Sequence, residues 1–278
     1  MPAAPSAPAP SSAWHHLARR RDLWWQFTVR TVEMKHRGSY LGMLWSVLSP
    51  LLMLGLYTVM FGVIFGGQFN AIPGETKLDY ALGLFLGLIF FNLLAEMAAM
   101  APILIITNPN LVKRVVFPLE ILPFAQLGSS VFNFLITFCL LLVGAVAFGH
   151  GLTPEGLLWM PLIVLPHILL CAGIGLFLAA LGVFFRDVQH LIQFLTQVLL
   201  YASAIFYSPN LIRRLPAAWM VLRWDPLLQS VNLARDALLW HTPVNLLALA
   251  YTYGAGAAVL AFGYWFFRKM QPAFADVI

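Results

Sequence analysis

The sequence predicts an all-α polytopic membrane protein with six transmembrane helices, an N-terminal interfacial amphipathic helix and two short outer re-entrant helices. Of 278 residues, 61% are hydrophobic and 10% are charged, whereas a soluble domain carries about 25% charged residues. The few charges lie in short segments between apolar stretches that reach the roughly 20 residues a spanning helix needs. These observations exclude a soluble enzyme, a disordered chain and, with only two cysteines, a disulfide scaffold.

The N-terminal 37 residues precede the first long apolar stretch. Residues 1–13 contain four prolines and no charge, which predicts a disordered tail. Within residues 14–37, polar residues such as Asp22 and Gln26 recur every three or four positions, while Trp25 and Val29 share another face. This pattern predicts an amphipathic helix in the membrane interface. Packing on a soluble partner is the alternative.

Five stretches contain no Asp, Glu, Lys or Arg and predict five spans. They are residues 38–74, 121–154, 156–185, 188–212 and 237–267. A sixth span is predicted from about Tyr80 to Ile106, because its only acid, Glu96, can be accommodated inside a helix bundle. The transmembrane domain then covers residues 38–269.

Lysine and arginine are distributed unevenly around these spans. With six spans both termini share a side, and that side has eleven Lys and Arg residues against five on the other. The positive-inside rule therefore places both termini, including a tail at residues 270–278, in the cytoplasm. The net charge of +5 is explained by this topology, so no nucleic-acid partner is expected.

Residues 208–242 are too polar to span, with four arginines, two acids and three prolines. Their apolar clusters favour two short re-entrant helices dipping into the outer interface and joined near Asp225 and Pro226. Two roles remain open for the arginines: contact with outer headgroups, or pairing with Asp225 and Asp236. Pairing is the favoured role for most of them.

Three stripes of polar or aromatic side chains repeat at helical spacing. The predicted fifth span carries Gln189, Gln193, Gln197 and Tyr201, the first carries Tyr57, Phe61 and Phe65, and the third carries Gln126, Ser130, Asn133 and Thr137. Each stripe alone is compatible with helix packing. Together they favour a polar path through the membrane.

Several kinds of reactive site are missing from the sequence. None of the four lysines follows a glycine, so the sequence has no phosphate-binding loop of the GxxxxGK type. It also has no HExxH metal motif and no GxSxG motif around a serine. Any ATP would therefore be bound by another chain. A membrane enzyme acting on polyprenyl diphosphate lipids is a remote alternative, based on Arg213, Arg214, Arg235 and His241.

Three sequence blocks resemble the ABC-2 type permeases that export polysaccharides, especially the O-antigen and teichoic acid branch. They are VEMKHRGSYLGMLWSVLSPLLMLGLYTVMFGVIF at 32–65, NPNLVKRVVFPLEILP at 108–123 and FFRD at 184–187. The resemblance extends from Trp14 to Lys269. One departure is Asp225-Pro226, where the family commonly has Asn-Pro.

The resemblance implies the transmembrane subunit of an ABC exporter in a bacterial inner membrane. Two copies would form a homodimer with two copies of a separate ATPase subunit, which would hold ATP and Mg, while this chain would hold no cofactor. The substrate would be a polyprenyl-diphosphate-linked glycan such as O-antigen, moved outward from the cytoplasm. Alternatives are a permease for teichoic acid, capsular glycan, a drug or a lipid.

Three groups of residues are then assigned as candidates, with membrane lipids as further contacts. A glycan path needs hydrogen-bonding groups and aromatic platforms, for which the candidates are Tyr57, Phe61, Phe65, Asn92, Glu96, Gln189, Gln193, Gln197 and Tyr201. A lipid diphosphate would be bound by Lys35, Arg37 and Arg114, although plain topology signals look the same. Coupling to the ATPase is assigned to Asn108, Lys113, Arg114, Phe117 and Pro118. Glu96 fits equally a carboxyl bonded to a neighbouring helix.

Overall fold

The structure is a computed structural model that describes residues 11–113, 117–149 and 151–278. Five of its helices are long and apolar enough to cross a membrane, so the chain is a multi-pass membrane protein. They are α2 (Gly42–Ile64), α3 (Lys77–Leu104), α5 (Ile121–Ala147), α6 (Pro154–Phe184) and α11 (Leu246–Met270), the last continuing through a turn into α12 (Phe274–Val277). No strand occurs in the described ranges.

The N-terminal helix, α1 (Ser11–His36), packs along α5. It begins three residues before the predicted start, and residues 1–10 of the predicted tail lie outside the described residues. Trp24 Nε1 donates a hydrogen bond to the Phe124 carbonyl at 2.9 Å. A Cβ on Gly128 would lie 2.8 Å from the Thr28 side chain, so the missing side chain allows α1 to seat closely against α5.

The centre of the bundle consists of α3 and α6. In the most apolar 18 residues of α3, 72% of the positions are buried, whereas in the corresponding part of α2 only 6% are. Helix α6 packs against α11 through small residues, because a Cβ on Gly173 would lie 2.5 Å from the Leu260 nitrogen and one on Gly263 would lie 2.1 Å from the Gly173 carbonyl oxygen. Such close backbone contact is typical of helices that associate within lipid.

The predicted fifth span is shorter than expected. Its helix, α7 (Val188–Ala202), has 15 residues, which corresponds to about 22 Å and falls short of the roughly 30 Å hydrocarbon core. The helix ends because Ala204 adopts a left-handed backbone conformation, with φ of 51°. Six full-length spanning helices are therefore not present among the described residues.

The segment following α7 contains three helices, where two were predicted. They are α8 (Pro209–Arg213), α9 (Pro216–Leu222) and α10 (Pro226–Leu238). Each begins with proline, whose fixed φ suits the first helical position and whose missing N–H is not needed there. The predicted break near Asp225 and Pro226 is present between α9 and α10.

Arg235 of α10 is completely buried and joins α10 to α3 and to the segment that follows α7. Its guanidinium donates to the carbonyls of Gly83 at 2.9 Å, Ala204 at 3.1 Å and Ile205 at 2.8 Å. It also lies 4.2 Å from the ring centroid of Phe69. Burial lowers the pKa of Arg235 to about 9, so the side chain stays charged at neutral pH. One side chain thus binds a carbonyl of α3 and two carbonyls of the segment that follows α7.

Candidate functional site

Glu96 is the centre of a polar cluster that joins three helices. Lys35 Nζ from the end of α1 lies 3.0 Å from Glu96 Oε2. From α5, Asn133 Nδ2 donates to the same oxygen at 3.0 Å, and Gln126 Nε2 approaches Glu96 Oε1 at 3.4 Å. Glu96 lies eight residues before the end of α3, about 12 Å along the helix axis. A cation and two amides therefore offset the free-energy cost of placing a half-buried carboxylate at this depth.

A cavity of about 410 Å³ opens beside this cluster. It lies between the first turns of α2 and the facing sides of α3 and α5, and Asn92, one turn before Glu96, projects into it. Its other polar lining comes from the hydroxyl residues Ser39, Ser46, Ser49, Ser130 and Thr137, and Trp45 and Phe134 supply rings. Asn92 and Glu96, both assigned to the substrate path, are thus brought together at one cavity.

The three cations assigned to the lipid diphosphate are in different situations. Lys35 is engaged by Glu96, Arg37 is exposed beyond the end of α1, and Arg114 lies outside the described residues. An apolar groove of about 970 Å³ between α1 and α5 lies nearby, with Trp25, Val29 and Leu135 in its lining.

The aromatic stripe of α2 meets the end of α7. Phe61 stacks on Phe206 with centroids 4.5 Å apart, and the rings of Tyr57 and Tyr201 lie 5.0 Å and 5.5 Å from that of Phe206. Phe65 continues the stripe at 5.9 Å from Phe61 and is exposed. Phe206, which the sequence stripes did not include, therefore joins the two predicted faces.

The glutamine stripe of α7 lies mostly on the surface. Gln193 and Gln197 are exposed and Gln189 is half-buried. Within the ranges described, none of the three amides has a hydrogen-bond partner. The same helix exposes Phe194 and Val198, so α7 contributes little to the packing of a single chain beyond its contacts with α3 and α6.

The turn assigned to ATPase coupling contains a short helix, α4 (Pro109–Val112). Asn108 Nδ2 donates to the Leu104 carbonyl at 2.9 Å, which caps the end of α3. Lys113 is exposed, while the Phe117 ring packs 5.5 Å from Phe27 of α1. Pro118 lies at the edge of the apolar groove. The turn therefore contacts both α3 and α1.

The four arginines of residues 208–242 do not form the salt bridges that the sequence favoured. Among the described residues, no salt bridge joins any of them to Asp225 or Asp236. Burial raises the pKa of the Asp236 carboxyl, and the nearby charges of Arg235 and Arg213 oppose that shift. Arg213 lies 5.0 Å from the Trp219 ring and Arg223 lies 5.0 Å from the Trp224 ring. Backbone carbonyls accept from Arg235, while Arg213 and Arg223 lie against aromatic faces, which attract a cation.

Asp225 instead caps α10. It accepts from Leu227 N at 3.0 Å and from Ser203 Oγ at 2.7 Å. Burial raises the pKa of its carboxyl, and the two hydrogen bonds oppose that shift. At this departure from the Asn-Pro pattern, Asp225 thus caps the Leu227 N–H and is itself held by the Ser203 hydroxyl, just after the end of α7.

No cluster of three or more His, Cys, Asp or Glu side chains that could hold a metal ion occurs in the described part of the chain.

Comparison with known proteins gives consistent matches over most of the chain. A family model described as ABC-2 type transporter matches residues 22–239. The O-antigen export system permease protein RfbA of Klebsiella pneumoniae is 26% identical over 260 residues, covering 92% of this chain and 95% of that protein. The protein of the same name from Myxococcus xanthus is 26% identical, covering 78% and 80%. The polysialic acid transport protein KpsM of Escherichia coli is 27% identical, covering 76% and 79%.

Proposed function

Because the chain belongs to the ABC-2 type transporter family, we propose that it is the permease subunit of an ATP-driven exporter of lipid-linked polysaccharide. O-antigen is the substrate suggested by the names of the RfbA relatives. The name of the polysialic acid transport protein KpsM makes polysialic acid the second candidate. A drug or lipid exporter remains a weaker alternative, because the names of these relatives refer to glycans.

The observation that carries this proposal is the wall formed by α2 and α7. Phe61, Tyr57 and Tyr201 gather around Phe206, and exposed Gln193 and Gln197 extend along α7. Amides left facing lipid would each cost several kcal/mol on the solvent-transfer scale. A path that offers amides beside ring faces suits a glycan, which carries hydroxyls on apolar rings. This wall is therefore the proposed lining of the glycan path.

A sixth crossing is completed by α7 together with residues 203–206. Val188 packs in the same cluster as Ile105 near the end of α3. At the other end, Tyr80 Oη donates to the Phe206 carbonyl at 2.8 Å, close to the start of α3. The segment thus follows α3 over most of its length. Six crossings and the Lys and Arg distribution together support cytoplasmic termini in the bacterial inner membrane.

A second copy of the chain is the proposed partner of the α2 and α7 faces. Only 6% of the most apolar window of α2 is buried, and α7 exposes Phe194 and Val198. A homodimer that brings two such walls together would enclose the path and remove the amides from lipid.

On the cytoplasmic side, the turn with α4 and Lys113 is the proposed contact for two copies of a separate ATPase, which binds ATP and Mg. Its contacts with the end of α3 and with Phe27 of α1 would transmit movement to two helices. The chain itself is proposed to act without a cofactor and without enzymatic activity of its own.

The membrane interface is the proposed location of α1. The helix has a face packed on α5 through Trp24 and Thr28, an exposed apolar face at Trp25 and Val29, and a polar face at Asp22 and neighbouring residues. A helix that lies at the membrane surface meets protein on one face, lipid on another and water on the third. Arg37, just beyond the end of α1, and Arg114, which lies outside the described residues, remain the proposed contacts for the lipid diphosphate.

Deletion of the gene in its source bacterium tests the function. We expect surface polysaccharide to disappear and lipid-linked glycan to accumulate inside the cell, with recovery when the wild-type chain is supplied. A variant with Gln193→Leu and Gln197→Leu should insert and dimerise normally yet export less polymer, whereas a packing role would first lower thermal stability. Unchanged surface polysaccharide after deletion would contradict the proposal.

A further inference from the structure

The cavity beside Glu96 has the size of a small-molecule site. Its volume is about 410 Å³, and ligand pockets span roughly 300–1,000 Å³. Its depth is set by Asn92 and Glu96 on α3, which lie in the half of the helix nearer the cytoplasmic turn. Asn92 is exposed to the cavity, and its amide has no hydrogen-bond partner in the ranges described. A polar group at this depth in a membrane protein needs a polar neighbour or ligand.

The charge of this cavity is balanced. Lys35 Nζ lies 3.0 Å from Glu96 Oε2, so the ammonium and the carboxylate neutralise each other. An anionic ligand would have to separate Lys35 from Glu96 before it could bind. The Glu96 carboxylate offers about four acceptor positions, and Lys35, Asn133 and Gln126 already donate to it. A hydroxyl group can donate to the acceptor position that these three donors leave. The site therefore suits a neutral ligand with several hydroxyls.

The remaining lining matches the two kinds of surface on a pyranose ring. Asn92 offers an amide and Ser49 offers an exposed hydroxyl, neither with a hydrogen-bond partner in the described ranges. Trp45, which is 40% exposed, supplies an aromatic ring at the same cavity. Aromatic rings provide an apolar platform for the C–H face of a sugar, while the amides and carboxylate meet its hydroxyls.

From these contacts we infer that the cavity is a subsite for one neutral sugar unit of the glycan at the cytoplasmic entrance of the path. The inference rests on the proposed function and names the part of the substrate that this site takes. Glu96 and Asn92 bind hydroxyls, and Lys35 is a positioning residue that holds the carboxylate in place. The lipid diphosphate is excluded from this cavity and must bind elsewhere.

Saturation-transfer NMR on the complex of full-length permease and ATPase in lipid nanodiscs tests the subsite. The probes are the methyl glycosides of glucose, galactose, mannose and N-acetylglucosamine, with inorganic pyrophosphate as the anionic competitor. We expect at least one glycoside to receive saturation and pyrophosphate not to displace it. Asn92→Leu should weaken binding about fivefold, the change expected for one lost hydrogen bond. Asn210→Leu, an exposed asparagine on α8, is the matched control and should bind as the wild type does.

Glu96→Gln provides a second, opposite readout. Without the carboxylate, Lys35 becomes available to anions, so glycoside binding should fall and pyrophosphate should begin to bind. If Glu96→Gln fails to assemble, the binding measured for Asn92→Leu tests the subsite alone. This variant should fold, because the Asn92 side chain has no hydrogen-bond partner in the described ranges. Displacement of glycosides by pyrophosphate in the wild type would overturn the inference and favour a phosphate or lipid headgroup site.

Failure of the subsite is separable from failure of the proposed function. Loss of surface polysaccharide on gene deletion, together with no glycoside contact in the purified complex, would overturn the subsite alone. Glycoside contact that depends on Asn92, in a chain whose deletion leaves export unchanged, would overturn the proposed function alone.

Discussion

Replacing Arg235 with methionine removes the three hydrogen bonds that join α10 to the first turns of α3 and to the segment after α7. The carbonyls of Ala204 and Ile205 lie outside helices, and no other donor reaches them among the described residues. Each buried carbonyl left unpaired costs about 1–3 kcal/mol. The lost contact with the Phe69 ring adds to this, whereas removal of a buried charge offsets part of it.

We expect Arg235→Met to lower the free energy of unfolding by about 3 kcal/mol, the low end of the range for breaking a buried charged contact. For a chain of this size that corresponds to a fall of roughly 6–12 °C in the apparent Tm, measured in detergent by a fluorescence-based thermal scan. The Tm of Arg235→Lys should lie between those of the wild type and Arg235→Met, because one ammonium cannot reach three carbonyls. The matched control is Arg214→Met, which alters an exposed arginine in the same outer segment. An Arg235→Met protein as stable as the control would refute this reasoning.

Three further predictions follow from separate contacts. Gly128→Val should displace α1 from α5, because a Cβ there lies 2.8 Å from Thr28, and limited trypsin digestion should then cleave residues 11–36 faster; an unchanged rate would contradict the packing. Lys113→Glu should abolish co-purification of the ATPase while the permease level in the membrane stays constant, and intact binding would exclude this residue from the contact. Burial raises the pKa of Asp225 in the folded state. The stability that this carboxyl contributes should therefore fall as the pH rises from its pKa in the unfolded chain through its raised pKa in the folded protein. Asp225→Asn should therefore show a smaller fall in Tm between acid and neutral pH than the wild type. An identical Tm profile in the variant would show that Asp225 does not cause the pH dependence.

The sequence predicted the helical class because apolar length and charge placement depend on residues close together in the chain. It also contained the signal for three outer helices, since Pro209, Pro216 and Pro226 each stand at a first helical position. The end of α7 was not predictable in this way. The backbone turns left-handed at Ala204, and Arg235, some thirty residues later, donates to the carbonyls of Ala204 and Ile205.

The candidate site was predicted in its residues but not in its contacts. The stripe containing Gln126 and Asn133 was visible from its spacing, and Glu96 was visible as a lone acid in an apolar stretch. That these side chains meet depends on how α3 and α5 are rotated about their axes. The contact of Lys35 with Glu96 depends also on the close packing of α1 against α5 at Gly128. Periodicity within one helix carries no information about either arrangement.

Transport into inverted membrane vesicles tests the central claim most directly. Vesicles that contain this chain and its ATPase would be supplied from outside with radiolabelled polyprenyl-diphosphate-linked glycan, and the label protected from an added glycan hydrolase would be measured. The account predicts ATP-dependent protection that requires both proteins and is lost when either is omitted. ATP hydrolysis by the assembled complex with no glycan protection, accompanied by uptake of a drug or a phospholipid, would contradict it.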